Sequence, residues 1–129
     1  MKKNKANILV VDDEQSLRDS VALLLRDHYH LFFAENGQAA IDLVKNQPID
    51  LVLLDIHLPE IDGLEVLKQI KAIDDSIEII MVTAVITVGR AVEAMRNGAY
   101  DYLTKPFDIA ALEEQVAKAL EKRALVKEN

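Results

Sequence analysis

The chain has 129 residues, half of them hydrophobic, and 15 basic against 22 acidic side chains give a net charge of −7. Such a length and composition bound it to one domain with a core of its own, and an acidic balance without a long basic run argues against a segment that grips a nucleic-acid backbone by itself. No cysteine occurs, which excludes a disulfide framework or a zinc–thiolate site and suits a reducing cytoplasm.

The amino end, Met1-Lys2-Lys3-Asn4-Lys5, is basic, yet it leads into a short apolar strand rather than a signal-peptide core or a membrane span. The first strand is predicted near Asn7 to Val11, followed by a helical stripe of Leu17, Val21, Leu24 and Leu25. A second strand is expected near His30 to Ala34. Asn36-Gly37 then turns the chain into a helix striped by Ala40, Ile41 and Val44. Pro48 breaks the chain before the third strand, Leu51 to Leu54, and Leu64, Leu67 and Ile70 stripe the helix after it. The fourth strand is predicted over Glu78 to Val82, with a helix carrying Val88, Ala91, Val92 and Met95 and stopping at Asn97-Gly98. The fifth strand, Tyr100 to Leu103, precedes a last helix with Leu112, Val116, Ala119 and Leu120. No repeat, low-complexity stretch or internal linker interrupts the order.

Strand runs that are apolar throughout, rather than alternating, imply a parallel sheet covered by helices on both faces and joined by right-handed crossovers. The expected fold is therefore α/β, a doubly wound five-stranded sheet of order 2-1-3-4-5, whose ligand crevice lies at the carboxyl ends of strands one and three. Those two strands end in acids: Asp12 and Asp13 close the first, and Asp55 closes the third. Clustered carboxylates repel one another unless a cation or a proton sits among them. A hard divalent metal held by oxygen ligands is the expected occupant. Thr83 ends the fourth strand and Lys105 follows the fifth, so with strands about 5 Å apart a hydroxyl and an ammonium converge on the acids. A phosphoryl group requires those parts: a metal and a cation for its oxygens, a hydroxyl donor, and a carboxylate able to attack phosphorus in line.

The runs Ile8-Leu9-Val10-Val11-Asp12-Asp13-Glu14, Asp55-Ile56-His57-Leu58-Pro59-Glu60-Ile61-Asp62-Gly63, Thr83-Ala84 and Gly98-Ala99-Tyr100-Asp101-Tyr102-Leu103-Thr104-Lys105-Pro106-Phe107 resemble, in that order and each at a strand end, the receiver domains of two-component response regulators. The resemblance implies a flavodoxin-like (CheY-like) fold and a phosphorylation-dependent signalling switch. Asp55 would take a phosphoryl group from the phosphohistidine of a sensor histidine kinase. Mg²⁺, with Mn²⁺ as a substitute, would be bound by Asp13 and Asp55, by Asp12 mostly through water, and by the main-chain carbonyl of His57. Lys105 would pair with Asp55 and then with the phosphoryl oxygens, Thr83 would hydrogen-bond the phosphoryl group, and the Lys105-Pro106 peptide would be cis. Tyr102 would rotate into space that Thr83 vacates, carrying the change to a surface formed by the fourth helix, fifth strand and fifth helix.

The run Ala91 to Tyr102 and the tail Ala119 to Asn129 resemble the nitrogen-regulator type, whose receiver leads to an ATPase domain and a DNA-binding domain, with a stand-alone receiver and a sensor-kinase appendage kept open beside it. The chain is expected to be a single receiver domain over 1–129, with a core at 6–122 and the start of a linker at 123–129, dimerising through its fourth or fifth helix, cytoplasmic, and without membrane or direct nucleic-acid contact. No turnover of an external substrate is expected beyond its own phosphoryl transfer and slow autodephosphorylation. Val85 and His57 flank the expected path of water, and an apolar Val85 predicts a persistent phosphoryl state. Plainer readings remain for single residues: Asp13 as a helix cap, Thr83 as a strand-end hydroxyl, Lys105 as a solvated lysine, Tyr102 as packing. His28, His30 and His57 lack transition-metal spacing and are expected to face solvent. Two further readings stand beside the switch. One is a phosphorylation-independent interaction module of the same fold. The other is a phosphatase of the haloacid-dehalogenase type, which would need Asp-x-Asp-x-Thr where this chain has Asp12-Asp13-Glu14-Gln15-Ser16; a flavodoxin-type cofactor binder would place small residues, not three acids, there.

Overall fold

A computed structural model describes residues 5–84 and 87–128, with side chains through residue 124. Strands and helices alternate along the whole of it: β1 (Asn7–Val11), α1 (Gln15–Leu25), β2 (His30–Ala34), α2 (Gly37–Asn46), β3 (Leu51–Leu54), α3 (Gly63–Ile73), β4 (Glu78–Thr83), α4 (Val88–Arg96), β5 (Asp101–Thr104) and α5 (Ile109–Glu128). The five strands form one parallel sheet in the order β2-β1-β3-β4-β5. The first three strands keep the bounds their apolar runs predict, β4 extends one residue to include Thr83, and β5 is displaced by one residue toward Lys105. Shifts of that size are ordinary at element ends.

The sheet divides two apolar layers. On one face, Leu9, Val11, Val52, Leu54, Ile79 and Met81 pack beneath α2, α3 and Ala94 of α4. On the other, Ile8, Val10, Leu53, Ile80 and Val82 pack beneath α1 and α5. The central strands β1, β3 and β4 are buried on both faces and so carry apolar residues throughout except at their ends, Asn7, Glu78 and Thr83, whereas the edge strands β2 and β5 expose part of each. Turn chemistry acts where the sequence suggests it. The Asn36 side chain accepts from Ala39 N–H at 2.9 Å and opens α2, and Gly98 takes a φ of +98° after α4, a conformation that favours glycine.

The fourth helix turns its apolar stripe outward. Its apolar stripe of Val88, Ala91, Val92 and Met95 does not pack into the core; Val88 is 82% exposed, and the buried residue of this helix is Ala94. Beside the short edge strand β5 the sheet offers little apolar area, so α4 makes a close approach through alanine and is tied to α3 and the loop before it by Lys68–Glu93 (3.5 Å) and Arg90–Asp62 (2.6 Å) ion pairs. A 3.6-residue period reveals that a helix has an apolar face, not what covers that face. Helix α5 is continuous from Ile109 to Glu128, and Arg123, at the expected start of a linker, is buried against the body of the domain.

Candidate functional site

Asp12, Asp13 and Asp55 each offer a carboxylate oxygen within 4.8 Å of the others. Strand pairing produces the convergence: β1 and β3 lie side by side with Val11 opposite Leu54, so the residues that follow each strand emerge together at the carboxyl edge. Asp55 N–H donates to Val11 O at 3.1 Å and Asp12 N–H to Ala34 O at 3.1 Å, which continues the sheet one step into the site. Asp12 and Asp55 are buried while Asp13 is exposed to solvent. The simple capping role for Asp13 is not seen, because the residue at the N-cap is Glu14 and no side chain caps the helix.

Lys105 crosses from the end of β5 into this cluster. Its Nζ stands 2.6 Å from Asp12 Oδ2, 3.0 Å from Asp55 Oδ2 and 3.6 Å from Glu14 Oε1. The pairing with Asp55 is the one the family resemblance implies; the shorter contact with Asp12 depends on the path of the lysine side chain and carries no sequence signal. Lys105 N–H also donates to Thr83 O at 2.9 Å, fixing the lysine to the end of β4, and the Lys105–Pro106 peptide is cis.

The buried carboxylates alter the titration of their neighbours. Burial raises Asp55 above the ordinary carboxylate range; the hydrogen bond from Lys105 and that from His57 N–H, at 3.0 Å to Oδ1, only partly oppose it. Burial on its own would lower Lys105, but hydrogen bonds and charge from Asp12 and Asp55 outweigh it and hold the ammonium above its usual value. Three carboxylates thus face one ammonium, and the negative excess, supplied by hard oxygen donors, is chemically suited to a divalent cation of the Mg²⁺ class.

The other expected residues are placed as follows. Thr83 is fully buried at the end of β4, opposite Thr104 in the register of β5 and therefore beside the start of the Lys105 segment. His57 is exposed and contributes its N–H to Asp55; His28 and His30 are exposed as well. Tyr102 is not part of the acid cluster. It is 41% exposed on β5 and lines an open apolar surface with Val88, Ala91, Val92 and Met95. Val85 lies outside the described residues.

Two contributors escaped the reading of the sequence. Gly63 ends the Asp55 motif in the sequence, yet a Cβ there would overlap the carbonyl oxygen of Asp55 and stand 2.6 Å from Ile56 Cα. The first turn of α3 can therefore pass directly over the Asp55 loop. Arg18 donates from Nη1 to the main-chain carbonyl of Asp12 at 2.6 Å. Its only sequence signal is weak: it lies four residues beyond Glu14, one helical turn from the acid loop.

A family model for the response regulator receiver domain matches residues 8–117. The chain belongs to that family. The receiver is 41% identical over 121 residues to the transcriptional regulatory protein ZraR of Escherichia coli K12, a match that covers 93% of this chain and 27% of that protein. It therefore spans about a quarter of the length of such relatives. It is also 39% identical over 114 residues to sporulation initiation phosphotransferase F of Bacillus subtilis, covering 88% of this chain and 92% of that one. Among solved structures, the CheY-like receiver domain protein from Methanospirillum hungatei JF-1 superposes with a TM-score of 0.92 at 28% identity, covering 98% and 100% of the two chains. The five-stranded CheY-like fold and the receiver assignment both stand, and the family consists of signalling switches rather than classical enzymes. No helix among the described residues is long and apolar enough to cross a membrane.

Proposed function

We propose that this receiver is switched by transfer of a phosphoryl group to Asp55. An Asp55 carboxylate oxygen attacks the phosphorus of a kinase phosphohistidine; the new P–O bond forms as the P–N bond breaks, and the imidazole departs with a proton from solvent. The observation that carries the reading is the Lys105 ammonium held between Asp12 and Asp55, a fixed positive charge beside the expected acceptor. Lys105 would receive phosphoryl oxygens once Asp55 is modified, and Thr83, at the end of the neighbouring strand, would donate its hydroxyl to them. Asp13 and Asp55, with Asp12 through water and the His57 carbonyl, would hold Mg²⁺ or Mn²⁺, which when bound neutralises charge on the transferring group. The sporulation phosphotransferase supports this reading, since it matches over nearly its own length and so carries its named activity without a large additional domain.

The exposed apolar face of α4, continuous with Tyr102 on β5, supports an output or dimer surface at α4, β5 and α5. In the full protein that surface would control an output domain, an ATPase with a DNA-binding domain as in the nitrogen-regulator type. The relatives named as transcriptional regulators favour such an output in the cytoplasm. The single domain over 1–129 is part of the same proposal, with its core from residue 6 extended past 122 to the buried Arg123 and a linker after it, as is slow autodephosphorylation.

Incubation with acetyl phosphate and Mg²⁺, followed by intact-mass and peptide mass spectrometry, tests it. One base-labile phosphoryl group on Asp55, lost in Asp55→Asn, is expected. An unlabelled wild-type chain would instead favour the phosphorylation-independent module, and continued release of phosphate over many turnovers would favour a phosphatase.

A further inference from the structure

Within the acid cluster, Asp13 is held differently from its neighbours. Asp12 is fixed by Glu14 N–H at 2.9 Å and by Lys105, and Asp55 by His57 N–H and by Lys105. Among the described residues the Asp13 carboxylate has no hydrogen bond or ion pair, although it points into the cluster. Its reach is therefore limited by its backbone and its own side-chain angles. No side-chain cap on α1 supplies that restraint.

We propose that Arg18 is a positioning residue for the cation site, acting through the main chain of Asp12 to aim Asp13. The Arg18 Nη1–H bond to the Asp12 carbonyl, 2.6 Å long, spans from α1 back to the acid loop. Because the Asp12–Asp13 peptide is planar, pinning its oxygen fixes its nitrogen as well, and the φ and side-chain angles of Asp13 are all that remain free. Arg18 is itself anchored, half-buried on α1 with its N–H directed to Glu14 O at 3.3 Å. Residues that orient a metal ligand from behind typically change affinity by about tenfold or more when removed. The inference rests on reading the cluster as a Mg²⁺ site.

Charge alone predicts the opposite sign. A guanidinium one hydrogen bond from Asp12 places positive charge beside a cation site, so an Arg18 that acted only through its field would weaken Mg²⁺ binding, and its removal would tighten it. Orientation and field are thus separated by the direction of a single measured change.

The test is a Mg²⁺ titration of the intact chain, read by backbone amide shifts, for wild type, Arg18→Gln, Arg18→Met and Arg18→Lys. Thermal unfolding without Mg²⁺ is run in parallel. The expected result is a dissociation constant about tenfold weaker in Arg18→Gln and Arg18→Met, partly restored in Arg18→Lys, which keeps a donor and a charge. With acetyl phosphate, the Mg²⁺ concentration for half-maximal labelling should rise while the rate at saturating Mg²⁺ changes less, a split that lost stability alone would not produce. Unchanged or tighter Mg²⁺ binding by the folded variants overturns the positioning role. A wild-type chain that binds no Mg²⁺ overturns the cation-site reading and this role with it, and that outcome is recognisable from the wild type alone.

Discussion

Arg123 Nε donates to Asp50 Oδ1 at 2.9 Å, joining the last third of α5 to the residue that precedes β3, 73 positions away in the chain. The guanidinium is buried, and its Nη1 also reaches Ser76 Oγ at 2.6 Å; the second oxygen of Asp50 accepts Asn7 N–H at 2.8 Å. One carboxylate thus ties the entrance of β1, the entrance of β3 and α5 together at the pole opposite the acid cluster. Asp50→Ala leaves a buried positive charge with a single neutral partner, and a destabilisation of about 3 kcal/mol is expected. Arg123→Met removes the charge while filling the same space and should cost less. Urea unfolding of the two variants checks the order; a costlier Arg123→Met would mean that packing of the arginine stem dominates.

Asp55 is expected to weaken the fold that carries it. Burial raises its ionisation above the ordinary range, so between the unfolded and folded values the native state binds the extra proton. The stability from that proton is fully present below the unfolded value and is lost as pH rises through the folded one. At pH 7 the ionised, buried carboxylate therefore costs free energy. Asp55→Asn keeps the acceptor for His57 N–H and for Lys105, and Lys105 retains Asp12. A gain of about 1 kcal/mol at pH 7, typical of relieving a strained functional position, is expected, shrinking as pH falls through the raised folded value and gone below the unfolded one. Melting curves at pH 7 and pH 3.5 decide it; a difference that grows toward low pH would reverse the assignment.

Added Mg²⁺ should stabilise the folded chain by mass action, by about 2.7 kcal/mol at a free concentration one hundred times the dissociation constant. Asp13→Asn removes no interaction that the described residues make with its carboxylate. Its stability without metal should thus lie within about 0.5 kcal/mol of wild type, while the Mg²⁺-dependent rise in Tm is lost. Thermal unfolding with and without Mg²⁺ measures both quantities. A retained Mg²⁺ shift in Asp13→Asn would place the cation elsewhere.

Gly63→Ala tests the contact that roofs the Asp55 loop. The added methyl would meet main-chain atoms, the carbonyl oxygens of Asp55 and Ile56 and the Ile56 Cα at 2.6 Å, none of which is the flexible end of a side chain. The Gly63 N–H bond to Ile56 O, at 2.7 Å, would be strained in the same movement. A cost of about 2 kcal/mol is expected from such overpacking. Acetyl-phosphate labelling of Asp55 should slow as well, because the displaced loop carries the proposed acceptor. Denaturant unfolding and the labelling rate are the two readouts.

The parts of this molecule written in local pattern were legible without coordinates. Apolar runs fixed three strands to the residue, Asn36 and Gly98 marked turns for reasons of backbone conformation, and acids at the ends of β1 and β3 had to meet once the strand order was 2-1-3-4-5. Contacts that depend on a long side chain's path were not: Lys105 chooses Asp12 as well as Asp55, and Arg18 turns back to a main-chain oxygen. Nor was the role of Gly63, because a close approach between α3 and the Asp55 loop belongs to tertiary packing. Periodicity located the apolar stripe of α4 but not the orientation of the helix, since the neighbouring sheet decides whether anything is there to receive that stripe.

That orientation gives two substitutions with opposite expected costs. Val92 is part of the apolar stripe and would be a core residue if the stripe packed inward, yet it is 43% exposed, whereas Ala94, off the stripe, is 1% exposed on the inner face of α4. Val92→Lys should therefore change stability by no more than about 0.5 kcal/mol, as surface substitutions usually do. Ala94→Leu forces three added carbons between α4 and the sheet at a point of close approach and should cost about 1–3 kcal/mol. Urea denaturation of both variants compares the two faces directly. A large loss in Val92→Lys with a tolerated Ala94→Leu would mean that α4 is rotated from the position described, with its apolar stripe turned inward to the core.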